Sequence, residues 1–186
     1  MEMSTPRLLL REFRLDDHAA VHGFAGDAEV TRYTDWGPNS PDDTAAFLAE
    51  AVRDASGTPR ERFGLAVVER ESGTLIGSVE LQIASVPHRR GEIGYVLHRD
   101  WWGKGYAGEA AGRRLRFGFG ELGLHKISAT CDPGNVASAR VLTKIGMRLE
   151  GRLREHLHLR GRWRDRLLYA GLAGPVAGQG VSWEAR

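Results

Sequence analysis

Short apolar runs with an alternating or continuous pattern predict seven strands along the chain. Five of them occupy residues 7–13, 63–68, 75–83, 91–97 and 126–131, and the last two flank Arg160-Gly161 between residues 147 and 172. Apolar positions at helical spacing predict four helices, which begin near Leu15, at Pro41, at Ala107 and after Asn135. The order of strands and helices is typical of an α/β fold.

One part of this order constrains the topology of the sheet. The strand at residues 91–97 is followed by a glycine-rich turn, a helix over residues 107–122 and the strand at residues 126–131. A succession of this kind forms a right-handed crossover between parallel strands. We therefore expect a mixed, mostly antiparallel sheet with one parallel strand pair, flanked by helices.

The length and composition limit the class of protein. A chain of 186 residues is about one domain's worth, and we expect a single domain over residues 1–173 and a flexible tail over residues 174–186. The sequence has no run of eighteen apolar residues and no signal-peptide pattern, so we expect a cytoplasmic protein with no membrane partner. The one cysteine, Cys131, cannot form an internal disulfide or a thiolate metal site, and we expect no metal.

The charge pattern leaves two interpretations open. The net charge of +2, from 26 basic and 24 acidic residues, does not indicate a DNA-binding protein. Arginines nevertheless crowd residues 140–166, and arginine favours planar contacts with phosphate or carboxylate. This stretch is either a solvated face of an arginine-rich protein or a surface that faces phosphate or RNA.

The segment 102–109, Trp-Gly-Lys-Gly-Tyr-Ala-Gly-Glu, lies between a predicted strand and a helix N-terminus. Glycines at such a point let backbone N–H groups approach a phosphate, and the positive end of the helix favours an anion. The alternative is a tight turn that needs glycine for its geometry alone. The spacing matches neither a Rossmann fingerprint nor a Walker motif.

At this point three segments in order resemble the GNAT acetyltransferase superfamily, and within it the RimJ/RimL type that acetylates the N-terminal alanine of ribosomal proteins. The segments are EIGYVLHRDWWGKGYAGEA, ELGLHKISATCDPGNVASARVLTKIGM and EGRLREHLHLRGRWRDRLLYAGL. The resemblance implies a GNAT fold whose sheet splays between the strands that end near Leu97 and Cys131, with acetyl-CoA as cosubstrate in the split. The implied cofactor-binding residues are Leu97, Trp102, Gly103, Lys104, Gly105, Tyr106, Ala107, Gly108, Asn135 and Ser138. Trp102 stands where the family usually has Gln or Arg.

The resemblance also implies an acid for the leaving thiolate. Many GNAT enzymes have a tyrosine acid where this chain has Leu142. The RimJ/RimL type instead resembles this chain in carrying Asn135 and Ser138, and Ser138 is then placed to solvate or protonate the CoA thiolate. The residues alone are equally compatible with a helix cap at Asn135 and an ordinary first-turn serine.

The candidate general base is Glu155. Period-two alternation places it on the same strand face as Leu153 and Leu157, and an apolar setting raises the pKa of a carboxylate toward the range that suits a base. The resemblance agrees, since the RimJ/RimL pattern has a glutamate ten residues before the aspartate that matches Asp165. Glu92 is the alternative base, because other GNAT branches use a glutamate on that strand. A structural ion pair between Glu155 and an arginine is the other interpretation.

The sequence thus predicts transfer of acetyl to an amine by direct attack in a ternary complex. The resemblance favours a protein N-terminal α-amino group of ribosomal-protein type, with Tyr33 and Trp36 in the acceptor pocket; packing alone would also explain these two aromatic residues. A small amine, an antibiotic or a polyamine is the alternative acceptor. A noncatalytic acyl-CoA-binding or RNA-binding module is the alternative of another class. The last strands could also support a homodimer by edge pairing.

Overall fold

The computed structural model describes residues 1–174. The strands are β1 Glu2–Ser4, β2 Leu8–Arg11, β3 Arg62–Glu69, β4 Leu75–Ser85, β5 Arg90–Leu97, β6 Lys126–Cys131, β7 Arg148–Leu159 and β8 Arg162–Leu172. The helices are α1 His18–Ala25, α2 Pro41–Ala55, α3 Tyr106–Gly120 and α4 Val136–Lys144. Short 3₁₀ segments occupy Leu15–Asp17, Val30–Tyr33 and Arg99–Trp101. Apart from β1, every strand was predicted, and each predicted helix is present.

Within the described part of the chain, the strands form one sheet in the order β1-β2-β3-β4-β5-β6-β8-β7. The β5–β6 pair is parallel, and every other pair is antiparallel. The right-handed crossover that connects β5 to β6 runs through the glycine turn and α3. The expected mixed sheet with one parallel pair is therefore confirmed.

The sheet is covered on both faces. Along β3, Leu65 and Val67 belong to the core that contains residues of α3 and α4, whereas Ala66 and Val68 belong to a second core with residues of α1 and α2. Alternate side chains of a strand point to opposite faces, so the two helix pairs lie on opposite sides. This explains why β3 is buried almost continuously.

Helix α3 lies close against the sheet because it has glycine where it crosses two strands. A Cβ atom added at Gly118 would lie 2.5 Å from Ile127 Cδ1 and 3.0 Å from Leu81 Cδ2. A larger residue there would require the ends of the Ile127 and Leu81 side chains, or the helix, to shift. Gly118 thus allows α3 to lie close to the sheet.

Helix α3 contributes a basic residue to the interior. Its helical spacing predicts an apolar stripe through Ala111, Leu115 and Phe119 with Arg114 largely off it, but Arg114 is fully buried. Its guanidinium donates to the carbonyl oxygen of Phe63, contacts the sulfur atoms of Met1 and Met3, and lies 4.8 Å from the ring centre of Phe117. Desolvation lowers the pKa of Arg114 to about 10. A basic residue therefore takes part in the core.

The predicted C-terminal tail and domain bounds are not tested by the described residues. The tail predicted for residues 174–186 lies beyond the described residues, except for Gly174. The domain bounds stay a prediction. Among residues 1–174, no helix is long and apolar enough to span a membrane.

Candidate active site

The parallel strands β5 and β6 separate after a short paired segment. They pair from Arg90↔Lys126 to Glu92↔Ser128 and then diverge toward their carboxyl ends. We call the gap between the diverging ends the split. This is the feature that the family resemblance implied near Leu97.

Backbone groups of β5 point into the split. The His98 N–H donates to Ile76 O on β4 over 2.8 Å, and successive residues of a strand direct their hydrogen-bonding groups to opposite sides. The N–H and C=O groups of Tyr95 and Leu97 therefore point away from β4, toward the split. One acceptor is already used, because the indole Nε1–H of Trp102 donates to Leu97 O over 2.8 Å. The Trp102 side chain is otherwise 46% exposed.

The glycine turn lies at the mouth of the split. Gly103 and Gly105 have φ angles of +75° and +83°, which favour glycine. Gly105 precedes α3 and provides no side-chain cap, so no side chain at that position shields the first amides of the helix. A Cβ atom at Gly103 would have no protein atom within 4 Å, which shows that the turn faces open space. The turn thus has the exposed amides and positive helix end that a pyrophosphate requires.

Residues from the start of the chain hold this turn in place. Arg7 Nη1 donates to Lys104 O over 2.9 Å, and Arg7 Nε donates to Glu109 Oε2 over 2.7 Å. Thr5 Oγ1 donates to Glu109 Oε1 over 2.6 Å, and the Arg7 guanidinium lies 4.4 Å from the ring centre of Tyr106. No sequence motif marks Arg7 as part of this site, since it is close to the glycine turn only in the folded chain.

Lys104, a predicted cofactor-binding residue of the turn, packs over an aromatic ring. The Lys104 ammonium lies 4.7 Å from the ring centre of Trp101. Glu109 is partly buried, which opposes its ionisation, but hydrogen bonds from Thr5 and Arg7 outweigh this effect and lower its pKa. The turn is therefore braced by a charged pair, Arg7 and Glu109.

Ser138 lies in the first turn of α4, beside the split. Its N–H donates to Asn135 Oδ1 over 3.0 Å, so Asn135 does act as the helix cap. The Ser138 hydroxyl lies 2.9 Å from Tyr95 Oη, and Ser138 O lies 3.2 Å from it, so the single phenol proton can be donated to either oxygen. Whether Asn135 and Ser138 also contact the coenzyme stays a prediction.

Tyr95 is a candidate that sequence reasoning missed. It belongs to β5, whereas the tyrosine acid of many GNAT enzymes aligns with Leu142 on α4, which is buried here. Burial raises the pKa of Tyr95, so its phenol keeps its proton at neutral pH. Ile93 and Tyr95 share the sheet face that packs against α3 and α4, but only the fold brings Tyr95 to Ser138.

Cys131 ends β6 near this pair. It is buried, and burial raises the pKa of its thiol. A thiol of this kind is a poor nucleophile. This agrees with direct attack by the amine rather than with an acetyl-cysteine intermediate.

The expected environment of Glu155 is wrong. The register of β7 with β8 shifts between Leu153↔Arg166 and Leu157↔Arg164, so residues 154–156 lie opposite Asp165 alone. Glu155 sits in this bulge with φ +48° and is exposed. Regular alternation, on which the apolar setting depended, fails here because two extra residues enter one strand.

Asp165 organises the bulge. Its Oδ1 accepts the Glu155 N–H over 2.9 Å, and its Oδ2 accepts Arg152 Nε over 2.6 Å. These bonds lower the pKa of Asp165. A groove on this part of the hairpin is lined by residues 152–156 and Asp165. The ion pair with arginine that the sequence left open for Glu155 is thus made by Asp165 instead.

Glu92, the alternative base, is exposed at the last paired position of β5, opposite Ser128. Its neighbour Ile93 lies in the core beneath α3 and α4, so Glu92 points to the other face of the sheet. Tyr95, an odd-numbered residue like Ile93, points with the α3 and α4 side.

Tyr33 and Trp36 lie on a loop that crosses toward the β7–β8 hairpin. Tyr33 Oη donates to Gly134 O over 3.2 Å, and Arg166 Nη1 donates to Tyr33 O over 3.0 Å. Arg160 Nη2 donates to Gly37 O over 2.8 Å. Trp36 is 39% exposed. The structure therefore brings Tyr33 to the β6–α4 turn, close to the helix that carries Ser138.

These features agree with the comparisons to known proteins. Residues 7–148 match the model of the acetyltransferase (GNAT) domain, so the chain belongs to the GNAT acetyltransferase family. It is similar to an uncharacterized N-acetyltransferase, YnaD of Bacillus subtilis (strain 168), with 38% identity over 170 residues that cover 91% of this chain and 96% of that protein. The chain is a GNAT N-acetyltransferase.

Two solved structures extend the comparison. A GNAT-family acetyltransferase from Bacillus anthracis superposes with a TM-score of 0.82 at 34% identity, over 92% of this chain and 98% of that one. A spermidine N-acetyltransferase from Vibrio cholerae, solved with CoA and spermine, superposes with a TM-score of 0.77 at 25% identity, over 90% of this chain and 96% of that one. The GNAT fold and the acetyl-transfer activity predicted from the sequence are confirmed at the level of the family.

Proposed function

We propose that this enzyme acetylates a protein N-terminal α-amino group, of the ribosomal-protein type, by direct attack of the amine on acetyl-CoA. The observation that carries the acetyl-transfer step is the hydroxyl pair Tyr95–Ser138 beside the split, and the acceptor class rests on the resemblance of the sequence to the RimJ/RimL type. The chain has Leu142 where many GNAT enzymes have their acid, and this pair offers hydroxyl protons in its place. The RimJ/RimL assignment remains part of the proposal.

In the proposed reaction, the backbone holds acetyl-CoA and side chains move the protons. Acetyl-CoA lies in the split, with its pyrophosphate on the amides of Gly103 to Gly108 and its pantetheine along the free backbone of β5. The amine nitrogen attacks the thioester carbon, and the Leu97 N–H stabilises the charge that develops on the carbonyl oxygen. A new N–C bond forms and the C–S bond breaks. A carboxylate accepts the amine proton, and Ser138 gives a proton or a hydrogen bond to the departing thiolate.

Glu155 stays the proposed base, now for a different reason. Its bulge lies next to Arg166, which contacts the loop of Tyr33, and this neighbourhood supports a base at the rim of the acceptor side. Glu92 is the alternative base, since it lies on the sheet face of Arg166 and the Tyr33 loop, at the point where β5 and β6 begin to diverge. An α-amino group has a reference pKa of about 7.7 to 8, against about 10.4 for lysine, so a modest base suffices for a protein N-terminus.

A small amine is the competing acceptor, because a relative solved with spermine and CoA shares this fold. The noncatalytic module is the competing class, and it would need neither the hydroxyl pair nor the bulge.

The test is the release of CoA thiol from acetyl-CoA with peptides that begin with Ala, Ser or Met, and with lysine, spermidine and aminoglycosides. We expect turnover confined to the peptides. The base is tested with Glu155→Gln and Glu92→Gln beside Glu121→Gln, an exposed glutamate at the far end of α3. We expect one of the first two variants to lose about 100-fold in kcat, within the usual range for a general base, and the third to lose nothing.

Turnover of small amines alone would overturn the acceptor assignment, and full activity of both Glu155→Gln and Glu92→Gln would overturn the base. Absence of turnover across the panel, with intact CoA binding by calorimetry, would favour the noncatalytic module.

A further inference from the structure

Arg166 is a buried cation without an anionic partner. It is 6% exposed, and one of its terminal nitrogens donates to Tyr33 O over 3.0 Å. Its Nε–H has no hydrogen-bond partner, and no ion pair among residues 1–174 includes it. Burial of a guanidinium costs free energy unless an anion or hydrogen-bond acceptors compensate. Arg166 therefore lacks, among the described residues, an anion that would compensate for the burial of its guanidinium.

Arg166 differs in this respect from Arg114, the other buried arginine with an unpaired Nε–H. Arg114 is fully enclosed between α3 and the sheet, with methionine sulfur atoms and Phe117 around it. Arg166 instead borders the loop of Tyr33 and the end of β6. Of the two side chains, Arg166 keeps some exposure, 6% against 0% for Arg114.

The strand registers place Arg166 on the acceptor side. Ser128 pairs with Glu92 on one side and with Ala170 on the other, and directly paired residues share a face. Arg166 is four residues before Ala170 on the same strand, so it lies on that face too. Leu167, the residue that pairs with Cys131, points to the opposite face. Arg166 and the alternative base Glu92 thus belong to one surface, on the side of the Tyr33 loop.

Two more arginines continue this surface. Arg164 and Arg162 precede Arg166 by two and four residues, are exposed, and form no ion pair among the described residues. Alternate residues of a strand are about 6.6 Å apart on one face. The three side chains therefore form a row that runs from the end of β6 to the tip of the hairpin. We call it the β8 arginine row.

We infer that Arg166 binds an anionic group of the acceptor, a carboxylate or a phosphate close to the amine that is acetylated, and that Arg164 and Arg162 attract the same acceptor. This inference rests on the proposed function and names its substrate class. The planar guanidinium offers paired N–H donors that match both anions. A polyamine, which carries only positive charge, is repelled by the row. An N-terminal segment with an acidic or phosphorylated second residue fits it.

The test compares matched peptides that share a first residue and differ at the second: Asp, Asn, phosphoserine and Ser. We expect the wild-type enzyme to prefer Asp over Asn by about tenfold or more in kcat/KM, the size of one charge-assisted hydrogen bond. The phosphoserine and Ser pair reports whether phosphate is accepted as well as carboxylate. Arg166→Gln and Arg166→Met should reduce the preference to about one, whereas Arg166→Lys should retain part of it.

The preference is the ratio of kcat/KM for the Asp and Asn peptides, measured on one variant. A general loss of activity or of folded protein lowers both values equally and leaves the ratio unchanged. Arg116→Gln, which removes an exposed arginine on α3, is the matched control and should keep the wild-type ratio. An equal rate for Asp and Asn peptides in the wild type, or an unchanged preference in both Arg166→Gln and Arg166→Met, would overturn the inference. Faster turnover of spermidine than of the Asp peptide would also overturn it.

A binding measurement separates this inference from the proposed function. Calorimetric titration of the CoA-saturated protein with the Asp and Asn peptides needs no turnover. Tighter binding of the Asp peptide, lost in Arg166→Gln, supports the anion site even if no peptide is acetylated, in which case only the proposed function fails. Equal binding of both peptides by the wild-type protein overturns the anion site.

Discussion

Tyr95 Oη and Ser138 Oγ lie 2.9 Å apart, one on β5 and the other on α4, on the two sides of the split. Each hydroxyl can donate one proton, and burial raises the pKa of Tyr95. A protonated phenol that donates to Ser138 Oγ would leave the serine proton free for the thiolate of CoA. Tyr95 is thus a positioning residue that acts through Ser138.

Tyr95→Phe should lower kcat by about tenfold, the effect of one lost hydrogen bond, and Ser138→Ala should lower it by at least as much. If Tyr95 acts through Ser138, the double variant should be no slower than Ser138→Ala alone. Single-turnover rates with saturating acetyl-CoA provide the measurement. Independent, multiplicative losses would show that Tyr95 has only a structural role.

Asp165→Asn should lower kcat by about tenfold and leave the Kd for CoA unchanged. The carboxylate that holds the Glu155 N–H and Arg152 is then replaced by a neutral amide. The control is Arg152→Gln, which removes the ion pair but keeps the bond to Glu155, and it should retain most of the activity. Loss of CoA binding in Asp165→Asn would contradict a role confined to the bulge.

Arg7→Gln should raise the Kd for CoA by about tenfold, because the glycine turn loses its bonds at Lys104 O and Glu109. Calorimetry with CoA measures this effect. Arg113→Gln breaks only a 3.7 Å ion pair with Glu121 at the other end of α3 and should bind CoA normally. An unchanged Kd in Arg7→Gln would show that the turn keeps its shape without the brace.

Arg114→Met should be neutral or should raise the free energy of unfolding by about 1 to 4 kcal/mol, since an apolar chain of similar length replaces a desolvated charge without a carboxylate partner. Arg114→Ala should lower it by about 2 to 5 kcal/mol through the cavity that it leaves. Urea unfolding of the three proteins provides the comparison. A Met variant as unstable as the Ala variant would mean that the bond to Phe63 O outweighs the cost of burial.

Asp17→Asn should make the free energy of unfolding fall less steeply as the pH is lowered. Partial burial acts to raise the pKa of Asp17, but hydrogen bonds from Arg11 and from the Arg14 N–H outweigh this effect and lower the pKa below its ordinary value. A group with a depressed folded pKa stabilises above its unfolded pKa, and its contribution is lost as pH falls through the folded value. The difference between wild type and Asp17→Asn should be constant from pH 7 to about pH 5 and should shrink below about pH 4. Thermal unfolding across this range measures it, and a difference independent of pH would contradict the assignment.

Most of the architecture could be predicted from the sequence because it is encoded locally. Period-two and helical spacing located every strand from β2 to β8 and all four helices, and Pro41 and Asn135 marked helix starts that the structure retains. The glycine turn before α3 was visible because its φ angles demand glycine. The parallel pair followed from the handedness of the crossover. Motif order was enough to recognise the family.

The tertiary structure alone decided how distant side chains combine. Arg7 reaches the glycine turn, and Tyr95 reaches Ser138, because segments far apart in sequence become neighbours in the fold. Arg114 is buried although its residue type favours the surface, since the fold brings Phe63, Met1 and Met3 against it. The setting of Glu155 was misjudged because a bulge depends on how many residues the partner strand places opposite it. Spacing within one strand describes only that strand, whereas register and contact are properties of two elements together.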